Sequence, residues 1–438
     1  MTELDRTEQN PSEVLVTPTN FDLLSWNNYE NVILSSCLSS LRAEKLAHSK
    51  ETVNTLSFWD NLLFSNFQLC LNQLPNLQNL TLLNVIIDES TNTNEPPRIT
   101  ETIEVPNLKN LAIIRDPNVQ KDDYFLLDYL TRGVTLSNLE KLEFRGEDNF
   151  NMYSVRLPSH EEALENWAHI IEPTVLAKFL IKNRSSLKTL ELRGPGVVVF
   201  STLTEDIQDL PAVQAENYRY SMDNDGANYV LSQQNRLQSL TCEDYVYSFN
   251  MDKMSALSSS IIRNALTLTS IQIFPNVLYN NELTEEMLAL TTIDCRSFEQ
   301  CLNLEKLQLN LELMNQRKDW ESTKSGLVTN IAFLPHSLRQ LNIMSDRFSE
   351  ADIEAFGYQL NDFQELEYIC LETSSSNVFT FKFEWIEVLY NLPQMKRILF
   401  NGARIDDLPA ALDFIGSRPD ARGSMINDEE LSILLRIQ

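Results

Sequence analysis

Glycine is scarce in this sequence. The chain of 438 residues contains 10, where average usage of about 7% would give roughly 30. Few backbone positions therefore need a positive φ, and glycine-rich loops that bind phosphate groups are not expected. Apolar runs as long as the ~18 residues of a membrane-spanning helix are also missing, so no membrane span is predicted. The start, MTELDRTEQNPSEV, lacks the apolar core of a signal peptide, which predicts a cytoplasmic or nuclear protein.

Residues that often carry catalysis or bind metals are few. The sequence has 4 histidines and 6 cysteines, and no two cysteines form a C-x-x-C pair. No spacing of these residues matches a zinc site, and the P-loop, G-x-G-x-x-G and G-x-S-x-G motifs are absent. We therefore expect reduced thiols, no metal, no cofactor and no enzymatic activity.

Basic residues are outnumbered by acidic ones, 35 to 62, which gives a formal net charge of -27. A surface this negative repels nucleic-acid phosphates and anionic lipids. We therefore expect neither nucleic acid nor a membrane as a partner. A protein partner is expected to be basic, unless the acidic residues serve solubility alone.

What the sequence has in abundance is the pattern L-x-x-L-x-L, as in LEKLEF (Leu139 to Phe144). There Leu142 and Phe144 alternate with Glu143, which is the period of a β-strand, and Leu139 anchors the chain three residues earlier. Eleven segments fit this pattern. Their middle anchors are Leu56, Leu80, Leu111, Leu142, Leu190, Leu240, Ile271, Leu307, Leu341, Ile369 and Ile398.

Between these segments the apolar spacing becomes helical. SEADIEAFGYQLNDF, before Leu366, places Ile353, Phe356 and Leu360 on one face of a helix that can begin at Ser349. Similar stretches precede the first and the fifth segment. Repeated units of helix and strand predict stacked parallel strands that share one core.

This repetition resembles the leucine-rich repeat superfamily, over about Val53 to Phe400. The resemblance implies an α/β solenoid of horseshoe shape, with parallel strands on the concave side and mostly helices on the convex side. The asparagine that the family carries at the ninth repeat position is mostly absent, since Asn61 has it but Val85 and Asp116 do not. The long, uneven units resemble the irregular repeats that follow F-boxes in ubiquitin-ligase substrate receptors and, more distantly, RanGAP-like arrays. Residues 1–52 show no recognisable F-box.

The predicted organisation has four parts. They are a disordered N-terminus (1–20), an N-terminal helical cap (21–52), about eleven irregular repeats (53–405) and a C-terminal cap (406–438). Three insertions leave the chain after strands, at 88–104, 146–160 and 194–233. Because the third contains apolar residues and several tyrosines, we expect it to fold back over the concave side.

The strand residues between the anchors are expected to face the concave side, and ten of them are candidate partner-binding residues. The apolar candidates are Trp59, Leu83, Ile114, Phe274 and Met344. The charged candidates are Glu143, Arg145, Glu191, Arg193 and Glu243. Surface ion pairs and coverage by the insertions are the simpler interpretations of the two sets. Together, however, the residues would also form an interface with apolar and arginine anchors inside a polar rim.

These features favour a non-enzymatic scaffold that binds a protein partner through the concave face and the strand-end loops. One alternative is a substrate-receptor or adaptor subunit of a ubiquitin ligase, which implies an adaptor-binding helix at Asn31 to Leu46. A second alternative is a regulator of a GTPase, in which Arg145 or Arg193 would stabilise charge in the transition state.

Overall fold

A computed structural model describes residues 13–16, 29–35, 50–59, 62–83, 85, 87–88, 102–115, 124–146, 173–193, 213–222, 225–244, 251–275, 278–279, 292–315, 324–325, 328–345, 348–373 and 379–417. The chain forms two compact units. Unit 1 comprises Met1–Ala215 and Asn224–Val230, and unit 2 comprises Glu216–Asp223 and Leu231–Gln438. Each unit is built around a parallel β-sheet.

The described part of unit 1 contains seven parallel strands, and each strand pairs with the next one along the chain. The strands are β1 (Glu13–Val16), β2 (Asn31–Ser35), β3 (Thr55–Trp59), β4 (Asn79–Leu83), β5 (Asn110–Arg115), β6 (Lys141–Gly146) and β7 (Thr189–Arg193). Parallel neighbours need a crossover between them. Helices in three of the crossovers are α1 (Phe64–Gln73), α2 (Tyr124–Arg132) and α3 (Pro173–Asn183).

Alternation along each strand decides which side of the unit 1 sheet holds the core. In β4, Leu80 and Leu82 are buried, whereas Thr81 on the other side is half-buried. The ring of Phe67 in α1 meets that of Phe58 in β3 edge to face, with centroids 5.9 Å apart, so α1 packs on the core side. The middle anchors lie beside one another in register, in the order Leu56, Leu80, Leu111, Leu142 and Leu190.

The described part of unit 2 has the same arrangement, again with seven parallel strands in chain order. The strands are β8 (Asn217–Ser221), β9 (Ser239–Asp244), β10 (Ser270–Pro275), β11 (Lys306–Asn310), β12 (Gln340–Ser345), β13 (Tyr368–Thr373) and β14 (Arg397–Asn401). The helices from this point of the chain onward are α4 (Asp225–Gln233), α5 (Met251–Arg263), α6 (Glu350–Gln359), α7 (Phe383–Asn391) and α8 (Leu408–Ser417), with 3-10 helices at Cys295–Phe298, Ile331–Phe333 and Leu360–Asp362.

Short strands also pair with one another, outside the main strands of the two units. The pairs are Leu62–Leu63 with Ile87–Asp88, Ile103–Glu104 with Val134–Thr135, Leu278–Tyr279 with Glu312–Asn315, Glu312–Asn315 with Lys324–Ser325, Ile293–Asp294 with Val328–Thr329, and Phe379–Phe381 with Ala403–Ile405. All of these pairs are parallel except that with Lys324–Ser325. The parallel pairs connect successive repeats, whereas the antiparallel pair lies within one repeat.

The eleven predicted strand segments are confirmed: each one forms a main strand of unit 1 or of unit 2. The predicted helix before Leu366 is confirmed as α6. Ser349 caps it, because its hydroxyl accepts a hydrogen bond from the backbone N–H of Asp352 at 3.0 Å. Ile353 and Phe356 are buried, as their helical spacing predicted.

The predicted insertion 194–233 contains a further repeat. Strand β8 pairs with β9, where Tyr218 and Tyr220 lie beside Leu240 and Cys242. The two tyrosines take the anchor positions, and Ala215 takes that of the first leucine, so the leucine pattern did not reveal this repeat. The expectation that the insertion folds over the concave side is therefore wrong for Asn217–Ser221, which belongs to the sheet itself; residues 194–212 lie outside the described residues.

The N-terminal region also differs from the prediction. Glu13–Val16 is a strand in the segment expected to be disordered, and Asn31–Ser35 is a strand at the start of the expected helix Asn31 to Leu46. Val32 and Leu34 pair beside Leu56 and Phe58 and are buried, so the alternating side chains extend the repeat core. Residues 17–28 and 36–49 of the predicted cap lie outside the described residues.

The remaining predicted boundaries are described only in part. The ends of the insertion 88–104 pair with neighbouring segments, as given above, and the part of the insertion 146–160 that follows Gly146 lies outside the described residues. Helix α8 falls within the predicted C-terminal cap 406–438. Residues 418–438 of that cap lie outside the described residues.

A ladder of side-chain hydrogen bonds joins successive repeats just before the first anchor. In three neighbouring bonds, the side-chain amide of an asparagine donates to a backbone carbonyl one repeat earlier. The bonds are Asn76 to Glu51 (3.1 Å), Asn107 to Pro75 (2.8 Å) and Asn138 to Pro106 (2.7 Å). In unit 2, Asn303 donates to Leu266 in the same way at 2.8 Å. Asparagine therefore links successive repeats in this chain from the position before the first anchor, and not from the ninth repeat position.

Removing one member of this ladder should lower stability modestly. We expect Asn107→Ala to reduce the free energy of unfolding by about 1 kcal/mol. The carbonyl of Pro75 loses its hydrogen-bond donor, but this bond is exposed, so water can replace the amide. Urea denaturation measures the change. Lys109→Ala, an exposed substitution two residues later, is the control, and equal midpoints for the two variants would contradict a structural role for the amide.

The described cysteines are all buried. They are Cys70, Cys242, Cys295, Cys301 and Cys370. Burial raises the pKa of the Cys70 thiol to about 12 and the pKa of the Cys301 and Cys370 thiols to about 11. These thiols therefore remain protonated at neutral pH and act as small apolar side chains of the core.

Candidate partner-binding surface

Alternate strand residues of unit 1 form three rows on the side of the sheet away from the core. We call this surface the unit 1 face. In register across β3 to β7, its rows are Trp59, Leu83, Ile114, Arg145 and Arg193; then Ser57, Thr81, Ala112, Glu143 and Glu191; then Thr55, Asn79, Asn110, Lys141 and Thr189. Seven of the ten predicted partner-binding residues lie on this face.

One half of the unit 1 face is apolar. Trp59, Leu83 and Ile114 are in adjacent register on β3, β4 and β5. The side chain of Trp59 is exposed and the other two are half-buried. Their neighbours in the next row are the small residues Ser57, Thr81 and Ala112. A partner can therefore approach this strip without displacing large polar side chains.

The other half of the unit 1 face holds an ion-pair network around Lys141. Its ammonium Nζ lies 2.6 Å from Oε1 of Glu191 and 3.4 Å from Oε2 of Glu143. Arg145 Nη1 lies 3.8 Å from Oε1 of Glu143. Burial lowers the pKa of Lys141, but its contacts with Glu191 and Glu143 outweigh that effect and raise the pKa above its usual value. The network holds the carboxylates of this half in fixed positions.

The sequence prediction of a charged cluster omitted Lys141, although the lysine connects the two glutamates. Lys141 stands two residues before Glu143 and so shares its face of the strand. The two-residue period of a strand is therefore the signal that could have placed Lys141 in the charged cluster. Arg193, beside Arg145 in register, is buried. Arg145 itself is partly exposed, and its Nε is buried without a hydrogen-bond acceptor among the described residues.

The three remaining candidates, Glu243, Phe274 and Met344, belong to unit 2. Glu243 is buried and accepts a hydrogen bond from Nε of Arg219 at 2.8 Å. Arg219 lies within the expected insertion and was therefore not considered from the sequence. Phe274 and Met344 are half-buried on β10 and β12, with the strand of Asn310 between them. The predicted apolar set thus forms a continuous strip only in unit 1.

Within the residues that the structure describes, no group of three or more His, Cys, Asp or Glu side chains could hold a metal ion. Of the histidines, His336 is described, and its ring packs edge-on against Phe363 with centroids 5.0 Å apart. No helix in the described ranges is both long and apolar enough to cross a membrane.

A comparison with protein-family models found no match, and neither did one with curated protein sequences. Among solved structures, the chain is similar to the leucine-rich repeat-containing protein LegL7 from Legionella pneumophila, with 14% sequence identity over 70% of this chain and 91% of that chain, and a TM-score of 0.27. The in-register strands and their buried anchors fit a leucine-rich-repeat-like fold.

Proposed function

We propose that this protein is a non-enzymatic scaffold that binds another protein through the unit 1 face. The observation that supports this is the strip of Trp59, Leu83 and Ile114, in adjacent register on the side of the sheet away from the core. Protein interfaces commonly have an aromatic and aliphatic centre with a polar rim. Here the network of Lys141, Glu143 and Glu191 supplies the rim.

The dimensions of the strip suggest what it binds. Neighbouring strands lie about 4.8 Å apart, so three strands present an apolar strip roughly 10 Å wide. This width matches one α-helix with its side chains. The partner is therefore a protein with an amphipathic helix or a loop that inserts apolar side chains. Because the sheet is rigid, little ordering of the unit 1 face accompanies binding.

Charge does not dominate recognition at the unit 1 face. Three cations (Lys141, Arg145 and Arg193) lie near two anions (Glu143 and Glu191), so the strongly acidic balance of the whole chain is not reproduced here. The apolar strip is expected to supply most of the binding energy, and the ion-pair network is expected to set orientation. In the described part of the chain, nothing favours the ubiquitin-ligase or GTPase alternatives.

The proposal is tested with partners captured by affinity purification of the full chain and identified by mass spectrometry. The triple variant Trp59→Ala, Leu83→Ser, Ile114→Ser should bind a purified partner about tenfold more weakly or worse, since interface anchors commonly contribute over ~1 kcal/mol each. Isothermal titration calorimetry measures the dissociation constant. Tyr358→Ala, at a side chain that is also exposed but lies on α6, is the control.

The substitutions remove partly exposed side chains, so the triple variant should melt close to the wild type. If every partner binds the folded triple variant as tightly as the wild type, the unit 1 face is not the binding surface. If partners also bind every variant of the charged half as tightly as the wild type, unit 1 does not act as the scaffold.

A further inference from the structure

The last described repeat of unit 2 leaves part of the core uncovered. Strand β14 is the final strand of the sheet within the described residues, and β13 is its one described neighbour. Ten of the eleven predicted middle anchors are buried, but Ile398 on β14 is half-buried. An apolar side chain that is enclosed in the other ten segments is thus partly exposed here.

Helix α8 extends beyond this strand. The short strand Phe379–Phe381 leads into α7, and Ala403–Ile405, which pairs with it, leads into α8 in the same way. The ring of Phe414 in α8 meets those of Phe383 and Tyr390 in α7 edge to face, each with centroids 5.9 Å apart. Helix α8 therefore takes the helix position of a further repeat, whereas no described strand lies beside β14 beneath it.

Helix α8 is also very apolar for a helix at the end of a repeat array. Asp413 is the one charged residue in its sequence, LPAALDFIGS. Ala411 is buried, but Leu408 and Phe414 are half-buried. A helix that is apolar on all sides is normally covered on all sides. We call Ile398, Leu408 and Phe414 the end face.

The sequence that follows α8 contains a segment that matches the end face. Residues 418–425 (RPDARGSM) are mostly polar and lack the strand pattern, whereas residues 426–437 (INDEELSILLRI) have helical spacing. In a helix that starts at 428, Asp428, Ser432 and Arg436 form a polar stripe at intervals of four residues. The large apolar residues occupy the remaining surface. They are Leu431, Ile433, Leu434, Leu435 and Ile437.

The sequence also indicates where this helix begins. Asn427 is a favourable N-cap residue, and Glu430 stands three residues later, as in a capping box. Asp428 and Glu429 place negative charge in the first turn, which the helix dipole favours. A helix of about ten residues is only marginally stable by itself in water. It therefore needs an apolar surface to pack against.

We propose that residues 428–437 form a helix that packs on the end face and closes the core of unit 2. The connection from α8 is 418–427, and a chain of this length can span roughly 33 Å. Helix α8 is about 15 Å long, so the segment can return along it to Ile398. Because the segment is tethered, its effective concentration is in the millimolar range, which favours it over a second copy of the chain or a separate partner.

Charge does not select this occupant. The exposed charged residues between β14 and the end of α8 carry both signs; they are Arg397, Arg404, Asp406, Asp407 and Asp413. The apolar pattern and the tether favour the segment 428–437. A repeat array needs such an end, because an uncovered core and an open strand edge would pair with other chains. The contact lies within unit 2 and is independent of the unit 1 face.

Hydrogen–deuterium exchange of the full chain, followed by mass spectrometry, tests the contact. In the wild type, the amides of 428–437 should exchange at least about tenfold more slowly than those of an unfolded chain. Leu431→Asn with Leu434→Asn removes apolar contacts and should speed exchange about tenfold both in 428–437 and in 397–417. The control Ser432→Asn with Arg436→Asn changes the polar stripe and should exchange like the wild type.

A second pair of variants tests the contact from the strand. Ile398→Thr should speed the exchange of 428–437 severalfold, because Ile398 belongs to the end face. Leu399→Thr is the matched control, since Leu399 is also half-buried on β14 but points to the other side of the sheet. This control should leave 428–437 protected, and thermal melts show whether both variants are folded.

Three results would overturn the proposal. The first is that residues 428–437 of the wild type exchange like an unfolded chain. The second is that the Leu431→Asn, Leu434→Asn variant exchanges like the wild type in 397–417. The third is that the wild type forms a dimer in analytical ultracentrifugation that this variant abolishes, which would make a second copy the occupant of the end face.

Discussion

Replacing Leu190 with aspartate should unfold the sheet of unit 1. Leu190 is fully buried on β7 and lies beside Leu142 in register. A carboxylate at this position would be buried among apolar anchors with no cation or hydrogen-bond donor, at a cost of several kcal/mol. Because single domains are stable by about 5–15 kcal/mol, one such change can remove most of the stability.

The expected result is a loss of the cooperative thermal transition of unit 1, or a large fall in its midpoint, followed by circular dichroism and limited proteolysis. Leu190→Ala should be milder, at about 2–5 kcal/mol, because it leaves a cavity but no charge. Ser185→Asp introduces the same carboxylate at an exposed turn and should melt near the wild type. If Leu190→Asp and Ser185→Asp melted together, Leu190 would not be a core anchor.

The second large effect is expected at Gly357, where alanine should destabilise the protein instead of stabilising it. Glycine within a helix normally costs about 1 kcal/mol relative to alanine. At Gly357 of α6, however, an added Cβ would overlap Cε2 and Cδ2 of Trp385. The indole cannot easily move aside, because Phe381 packs edge-on against it with centroids 5.1 Å apart.

We expect Gly357→Ala to lower the free energy of unfolding by about 1–3 kcal/mol, as overpacked cores do. Urea denaturation measures this, and a double-mutant cycle identifies the cause. In a Trp385→Leu background the penalty should shrink or change sign, because the ring that opposes the methyl group is gone. Ala355→Gly, on the exposed side of the same helix, gives the ordinary helix cost. A stabilised Gly357→Ala variant would disprove this close packing.

Much of the architecture could be predicted from the sequence, because one pattern repeats wherever a strand must bury two alternate side chains. Leu80, Leu111 and Leu142 satisfy that pattern with leucine, so the sequence predicts their strands directly. The repeat of Tyr218 and Tyr220 was missed because larger rings fill the same positions. The strand of Val32 and Leu34 was missed because a short apolar run does not distinguish a strand from a buried helix.

The candidate surface could be predicted less completely. Period-two alternation placed Trp59, Leu83 and Ile114 on one face, and the strand register brings them together. The ion-pair partners of the charged residues could not be predicted, because they depend on which strands are neighbours. Lys141 joining Glu191 across two strands and Arg219 joining Glu243 are contacts between repeats, which no single segment reveals. The asparagine ladder was visible as N-L before the anchors, but its acceptors lie one repeat away.

The buried thiols allow local opening of the core to be measured. An alkylating reagent reacts with thiolate, which the raised pKa values of about 11 to 12 suppress at Cys70, Cys301 and Cys370 while the core is closed. Cys70 belongs to unit 1 and the other two belong to unit 2. The alkylation rate of each cysteine can therefore measure the local opening of each unit separately, without any added label.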